Sequence, residues 1–180
     1  MKAKLCPALL VLLCSVPLLG RDETPKVDIF GGYSHASNFD IGLNGWIASA
    51  NWSIARWIGV EGDISGDYGS KRFGPFFLGA PKLNSHMYSF NFGPSITYRR
   101  SKYNAFGHLL FGASHTNVNS AGFDQGDTSF SWVLGGGADY NITQSWAGRF
   151  QLDLLRTNFF DRGASHARVG LGIVYRYGTR

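Results

Sequence analysis

Four serine–histidine pairs are the residues of this sequence best suited to chemistry. They are Ser34-His35, Ser85-His86, Ser114-His115 and Ser165-His166. Imidazole rings bind transition metals and change charge near neutral pH, and a serine beside a histidine is the core of many nucleophilic sites. Whether the pairs meet in one site depends on the secondary structure that carries them.

Outside the first twenty residues, polar and apolar residues alternate over eight segments of about ten residues each, which is typical of tilted membrane-spanning strands. In the third segment, for example, Glu61 and Asp63 alternate with apolar residues and glycine. The alternation blurs at 108–110, which suggests a bulge there. The eight segments cover 26–35, 45–53, 58–65, 86–98, 105–115, 129–140, 146–154 and 168–177.

Short and long connections alternate between these segments. The short ones are 54–56, 100–103 and 142–145, and the long ones are 36–44, 66–84, 117–127 and 158–165. Tight turns at one end and long loops at the other predict an all-β fold, an eight-stranded antiparallel up-and-down transmembrane barrel with meander topology. The serine–histidine pairs then lie at the long-loop ends of strands one, four, five and eight, on opposite sides of the barrel. We therefore predict no metal, cofactor or catalytic site.

Residues 1–20 have the features of a secretory signal peptide, with Lys2 and Lys4 before an apolar run. Both cysteines, Cys6 and Cys14, fall in this segment, so residues 21–180 are expected to form one domain without disulfides. Loss of the two lysines leaves 15 basic and 12 acidic residues, a net charge of +3. Such a small excess argues against nucleic acid as a partner.

Aromatic residues of the apolar face gather near the ends of the predicted strands. The predicted girdle consists of Trp46, Trp52, Trp57, Tyr88, Tyr98, Trp132, Tyr140, Trp146, Tyr175 and Tyr177. Two belts of Trp and Tyr are typical of a barrel whose apolar face meets membrane lipid, whereas a soluble ligand-binding barrel keeps its apolar face inside. The export signal and the many glycines of the polar face favour the membrane, and the soluble barrel is the alternative.

Four stretches of the chain resemble the small outer-membrane β-barrel family of the OmpA and OmpX type. They are 27–34, 57–63, 134–139 and 170–177. The resemblance covers essentially the whole exported chain. It implies a cell outer-membrane location with both termini periplasmic, insertion by the outer-membrane assembly machinery and no enzymatic activity, and no peptidoglycan-binding domain is expected.

One short element suggests a different class of function. His35-Ala36-Ser37 is similar to the His-x-Ser element of barrel lipid A deacylases, so a lipid-modifying enzyme of the outer membrane is an alternative. No acidic residue stands at a recognisable spacing to complete such a site.

The polar face is expected to fill the lumen with ion pairs, because eight strands enclose a space just wide enough for side chains. The predicted network contains Glu61, Asp63, Asp139, Arg149, Asp153, Arg168 and Arg176. Asp153 is expected level with Arg168, and Glu61 and Asp63 are expected to face Arg149. The sequence thus predicts a structural or surface-interaction protein whose long loops meet an extracellular partner, with a minor small-solute pore as the alternative.

Overall fold

A computed structural model describes the backbone of residues 25–38, 41–72, 82–120, 123–159 and 162–179. Each of its strands pairs antiparallel with the next, and the last pairs with the first, which closes a barrel. The predicted eight-stranded fold is confirmed, while the predicted signal peptide lies outside the described residues. The strands are β1 (Pro25–Asn38), β2 (Ile41–Ser53), β3 (Ile58–Arg72), β4 (Lys82–Arg99), β5 (Tyr103–Ser120), β6 (Phe123–Asn141), β7 (Trp146–Phe159) and β8 (Arg162–Thr179).

Successive side chains along each strand point alternately to lipid and to lumen, as the two-residue period requires. On β7, Leu152 and Leu154 are exposed on the outer surface, whereas Gln151 and Asp153 are buried inside. An apolar outside and a polar inside are the reverse of a soluble barrel, so that alternative is wrong. No helix among the described residues is long and apolar enough to cross a membrane.

Three tight turns connect strands at one end of the barrel, as predicted. Backbone hydrogen bonds close them: Ile142 N donates to Trp146 O at 2.9 Å, and Arg100 N donates to Tyr103 O at 3.0 Å. The turns span 54–57, 100–102 and 142–145. Because the strand number is even, both ends of the described chain lie at this same end.

The four predicted long loops are wrong in extent, because the strands continue into them. The ladder between β1 and β2 runs to Asn38↔Ile41, and the ladder between β5 and β6 runs to Ser120↔Phe123. Likewise, 158–159 pairs with 162–163, and β3 pairs with β4 up to Arg72↔Lys82. In these extensions the inward residues stay buried and include apolar ones such as Ala36 and Leu43, while outward residues such as Ser37 and Asn44 are polar. The pattern of apolar outside and polar inside therefore disappears from the sequence although the backbone stays paired.

The predicted bulge at 108–110 is also wrong. The register between β5 and β6 passes through His108↔Gly135, Leu109↔Leu134 and Leu110↔Val133 without an extra residue. Leu110 blurs the alternation because it is an apolar side chain that points inward, where it is 0% exposed.

A pair of glycines lets the first and last strands approach where the barrel closes. Gly32 lies opposite Gly172 in the ladder between β1 and β8. A Cβ on Gly32 would lie 2.3 Å from the carbonyl oxygen of Leu171, and a Cβ on Gly172 would lie 2.2 Å from that of Gly31. Any larger residue at either position would therefore push β1 and β8 apart.

The outward position of Leu152 gives the first testable prediction. An Arg at this mid-strand position meets hydrocarbon, so L152R should lower the free energy of unfolding by about 2–4 kcal/mol in lipid vesicles. The matched control is S37R, because Ser37 is exposed near the opposite end of β1 from the tight turns. Urea unfolding followed by tryptophan fluorescence measures both, and equal tolerance at the two positions would contradict the outward assignment.

Candidate functional site

Arg168, on β8, crosses the lumen and binds carboxylates from two other strands. Its Nη2 and Nε donate to Asp153 Oδ2 at 2.7 and 3.0 Å, and its Nη2 and Nη1 donate to Asp63 at 3.1 and 3.3 Å. Nη1 also donates to Ser65 Oγ at 2.9 Å. The side chain is fully buried, and every guanidinium hydrogen has an oxygen partner. One residue therefore ties β8 to β3 and β7.

His108, on β5, links Asp153 of this group to Glu61 on β3. Its Nδ1 lies 3.1 Å from Glu61 Oε2, and its Nε2 lies 3.1 Å from Asp153 Oδ1. A neutral imidazole has only one N–H, so both contacts are hydrogen bonds only when the ring carries two protons. The geometry therefore fits a positively charged imidazolium between two carboxylates.

Arg149, on β7, continues the series towards the tight-turn end. It donates two hydrogen bonds to Asp139, from Nε at 2.7 Å and from Nη2 at 3.1 Å, and its Nη1 lies 4.0 Å from Glu61 Oε1. Its guanidinium carbon lies 4.0 Å from the ring centre of Phe106 and 5.1 Å from that of Phe30. A guanidinium that lies close to two aromatic rings and also makes a forked bond to a carboxylate is particular to arginine, so lysine would not replace it.

Arg176 and Arg99 extend the series to the end of the lumen. Arg176 Nη2 donates to Asp139 Oδ2 at 3.0 Å, and Arg176 Nε lies 3.8 Å from Asp28 Oδ1. Arg99 Nη2 donates to Asp28 Oδ2 at 2.8 Å. Asp28 thus stands between the two arginines.

Together these groups form one chain in which negative and positive charges alternate, called the charge chain below. With His108 protonated, five acids and five cations balance. Its members are, in order, Asp63, Arg168, Asp153, His108, Glu61, Arg149, Asp139, Arg176, Asp28 and Arg99.

The seven residues of the predicted network all lie in this chain, but one expected contact is different. Asp153 stands opposite Arg168 in the ladder between β7 and β8, as expected. Glu61 lies near Arg149, whereas Asp63 contacts Arg168 instead. From β3, the side chain of Asp63 meets Arg168 because that arginine reaches across the lumen.

The lumen also contains groups that sequence reasoning missed. Asp67 is a further buried carboxylate, and it accepts a hydrogen bond from Ser34 Oγ. It fell in a predicted loop, so its inward direction was not assigned.

Two buried apolar clusters fill space beside the charge chain. One is Ala36, Leu43, Met87, Leu110, Val133 and Leu155, and the other is Phe30, Ile47, Ala147 and Val174.

Gly135 makes room for the charge chain at its middle. A Cβ at this position would lie 2.0 Å from Asp153 Oδ1, which is far inside van der Waals contact. The carboxylate that binds both Arg168 and His108 therefore occupies the space that a side chain at 135 would need. This contact gives a packing reason for a glycine inside a strand.

The ten aromatic residues of the predicted girdle have large accessible areas on the outside. Trp46, Trp52, Trp57, Tyr88, Tyr98, Tyr140, Trp146, Tyr175 and Tyr177 are exposed, and Trp132 is half-buried. Some of them contact one another, such as Trp146 and Tyr175, whose ring centres are 4.8 Å apart. That they mark the two membrane interfaces stays a prediction.

The serine–histidine pairs are separated by the geometry of the strands. Ser34 and Ser114 are buried in the lumen, whereas their neighbours His35 and His115 lie on the outer side, because adjacent residues of a strand point to opposite faces. His35 Nδ1 bonds to the amide oxygen of Asn44 at 2.7 Å, and not to a carboxylate. Among the described residues, no three metal-ligating side chains cluster.

Removing the central guanidinium tests the charge chain. R168M would leave Asp63 and Asp153 buried without their main partner, so we expect a loss of about 3–5 kcal/mol in the free energy of unfolding. In a D63N background the same substitution should cost less, since one of the two charges is already gone. R156M, which changes an exposed arginine two residues beyond the apolar Leu154, is the control. Equal effects of R168M and R156M on urea unfolding in vesicles would refute the pairing.

The chain matches the family model described as outer membrane protein beta-barrel domain over residues 6–177. No curated protein sequence matches it. Among solved structures, it is similar to Ail, the attachment invasion locus protein of Yersinia pestis, in complex with the heparin analogue sucrose octasulfate. The two are 16% identical, with a TM-score of 0.58, over 87% of this chain and 99% of that one.

A second similar structure is Neisserial surface protein A. It is 14% identical, with a TM-score of 0.55, over 84% of this chain and 95% of that one. At these identities both structures support the fold alone, and the family rests on the model match, which covers nearly all of the sequence. The chain therefore belongs to the outer membrane protein beta-barrel domain family, and its place is the bacterial outer membrane.

Proposed function

We propose that this barrel is a surface-interaction protein that binds a partner through the β5–β6 hairpin, which stands outside the membrane. The observation that carries the proposal is the length of its strands. β4 and β5 have 18 residues each and β6 has 19. A tilted strand needs only about 9–11 residues to cross a bilayer. The excess lies beyond the apolar band, at the end opposite the tight turns.

The ladder between β5 and β6 continues beyond the described ladder between β6 and β7. The first runs out to Ser120↔Phe123, whereas the second runs out to Ser131↔Thr157. The wall of the barrel therefore carries a paired β5–β6 hairpin at its outer end. Binding residues concentrate on segments that a rigid scaffold holds at the surface, so this hairpin is the proposed binding surface.

The names of the similar structures support a role at the cell surface. One is an attachment invasion locus protein, and the other is a surface protein. The heparin analogue bound to Ail is not assigned to this chain, because the sequences share so few residues. The length of the β5–β6 hairpin instead supports a binding surface at the outer end of the barrel.

The side chains in the lumen favour a surface-binding role for the barrel over a role as a pore. The charge chain spans the interior, and the apolar clusters occupy space beside it. A selective channel presents charges of one sign to passing ions, whereas here the charges pair with one another. We therefore infer that the lumen carries no continuous water. Catalysis is not part of the proposal, because the serine–histidine pairs are split between the two faces.

Shortening the outer hairpin tests the proposed binding. Thr116 and Asp127 pair across β5 and β6, so replacing 117–126 by Asn-Gly joins them through a two-residue turn and removes the outer part of the hairpin. Bacteria that produce the full-length barrel should adhere to surfaces coated with extracellular-matrix proteins, and those with the shortened form should not.

The control for this experiment is A121N, which places Asn before Gly122, between the paired residues Ser120 and Phe123, and keeps the hairpin length. It should adhere like the full-length barrel. Heat-dependent gel mobility shows that each variant is folded. Equal adhesion by the shortened form, or none by the full-length barrel on any coating, would count against the proposal.

Planar bilayers test the closed lumen. The intact barrel should show no steady conductance, while R149A should admit ions because it removes the stacked guanidinium between Asp139 and Phe106. A steady conductance of the intact barrel that R149A leaves unchanged would favour the pore instead.

A further inference from the structure

The outer surface near the tight turns carries a shallow groove of about 570 Å³. Tyr103 and Tyr140 form one wall, with ring centres 5.6 Å apart. Phe150 and Leu171 form the other side, and the small residues Ala138 and Gly148 leave the space between them. A Cβ on Gly148 would meet nothing within 4 Å, so the groove is open at that point. The accessible lining of the groove is mainly apolar and faces the membrane, and Asp139 and Arg149 of the charge chain also border it.

Positive charges stand beside the end of this groove. Arg100 and Lys102 are exposed in the turn that leads into Tyr103. The carbonyl of Lys102 accepts a hydrogen bond of 2.9 Å from Asn141 N, which holds this turn against the strand that carries Tyr140. The groove and the cationic turn therefore have fixed relative positions.

Arg100 is held on the outside of the barrel by an aromatic residue of the predicted girdle. Its Nε donates to Tyr98 Oη at 2.8 Å, and its guanidinium carbon lies 5.2 Å from the centre of the Tyr98 ring. Tyr and Trp of a girdle stand at the level of lipid headgroups. The cation is therefore presented to the headgroup layer and not to the lumen.

No exposed carboxylate competes for these cations at the tight-turn end, among the side chains that the structure describes. The acids of that half, such as Asp28 and Asp139, are buried in the charge chain and already paired. Arg56, in the neighbouring turn, adds a third cation, which lies over Trp57. The rim of the barrel thus presents positive charge next to an apolar groove.

From this juxtaposition we propose that the groove is a binding site for an anionic phospholipid of the periplasmic leaflet. The phosphate meets Arg100 and Lys102, and one acyl chain lies in the groove over Ala138 and Gly148. Cations at a membrane surface attract anionic headgroups, and here two of them stand in the turn that leads into a groove where a hydrocarbon chain can lie. The site is independent of the β5–β6 hairpin at the other end of the barrel.

The test uses the barrel in nanodiscs with equal amounts of phosphatidylglycerol and phosphatidylcholine. Native mass spectrometry after release from the discs counts the lipids that stay bound. We expect phosphatidylglycerol to be retained in preference to phosphatidylcholine. Each of the two cations should contribute about a fivefold preference. The double variant R100Q/K102Q should lose this preference. R156Q, on the outer surface at the opposite end, should keep it.

A second variant tests the groove separately from the charges. G148L adds a side chain where open space now exists, so it should fold normally and retain less of either lipid. Heat-dependent gel mobility confirms the folded barrel. Equal retention of the two lipids by the unchanged barrel, full preference in R100Q/K102Q, or undiminished retention by G148L would each overturn the proposal. A dimer mass that G148L abolishes would assign the groove to a second copy and would also overturn it.

Discussion

A charge buried in a narrow lumen must have an opposite charge within bonding distance, and this requirement governs the rest of the barrel. Arg168 meets it by binding Asp63 and Asp153 from two different strands. A slip of β8 by one residue would turn Arg168 towards lipid and leave both acids without their partner. The strand register and the charge pairing therefore depend on each other, and a change in one would disrupt the other.

The fold and the direction of most side chains could be predicted from the sequence because lipid and lumen differ so sharply in polarity. Glu61 and Asp63 alternate with apolar residues and glycine, and that alternation alone assigns them to the lumen. The tight turns were equally clear, since the alternation breaks there over only a few residues. The sequence was less informative about which acid binds which arginine. The contact between Asp63 and Arg168 depends on how far a long side chain reaches across the barrel.

Other features escaped prediction because they break the simple rule of apolar outside and polar inside. Leu110, Val133 and Leu155 face inward and pack together. Their apolar character gave no sign of this inward direction. The outer extension of β5 and β6 escaped for the opposite reason. Polar residues and glycine stand at consecutive positions of that hairpin, so its sequence resembles a loop. The small residues Ala138 and Gly148 showed no function until the structure placed them beside Tyr103.

Because β1 pairs with β8, the barrel joins the two ends of the sequence, and this affects the order of assembly. Gly32 cannot meet Gly172 until the last strand has been exported, so the first strand must wait with one edge unpaired. Contacts between such distant residues form slowly, since the intervening chain loses much of its conformational freedom. The close approach at these glycines thus belongs to the final step of assembly. A bulky residue there would act on the rate at which the barrel closes as well as on its final stability.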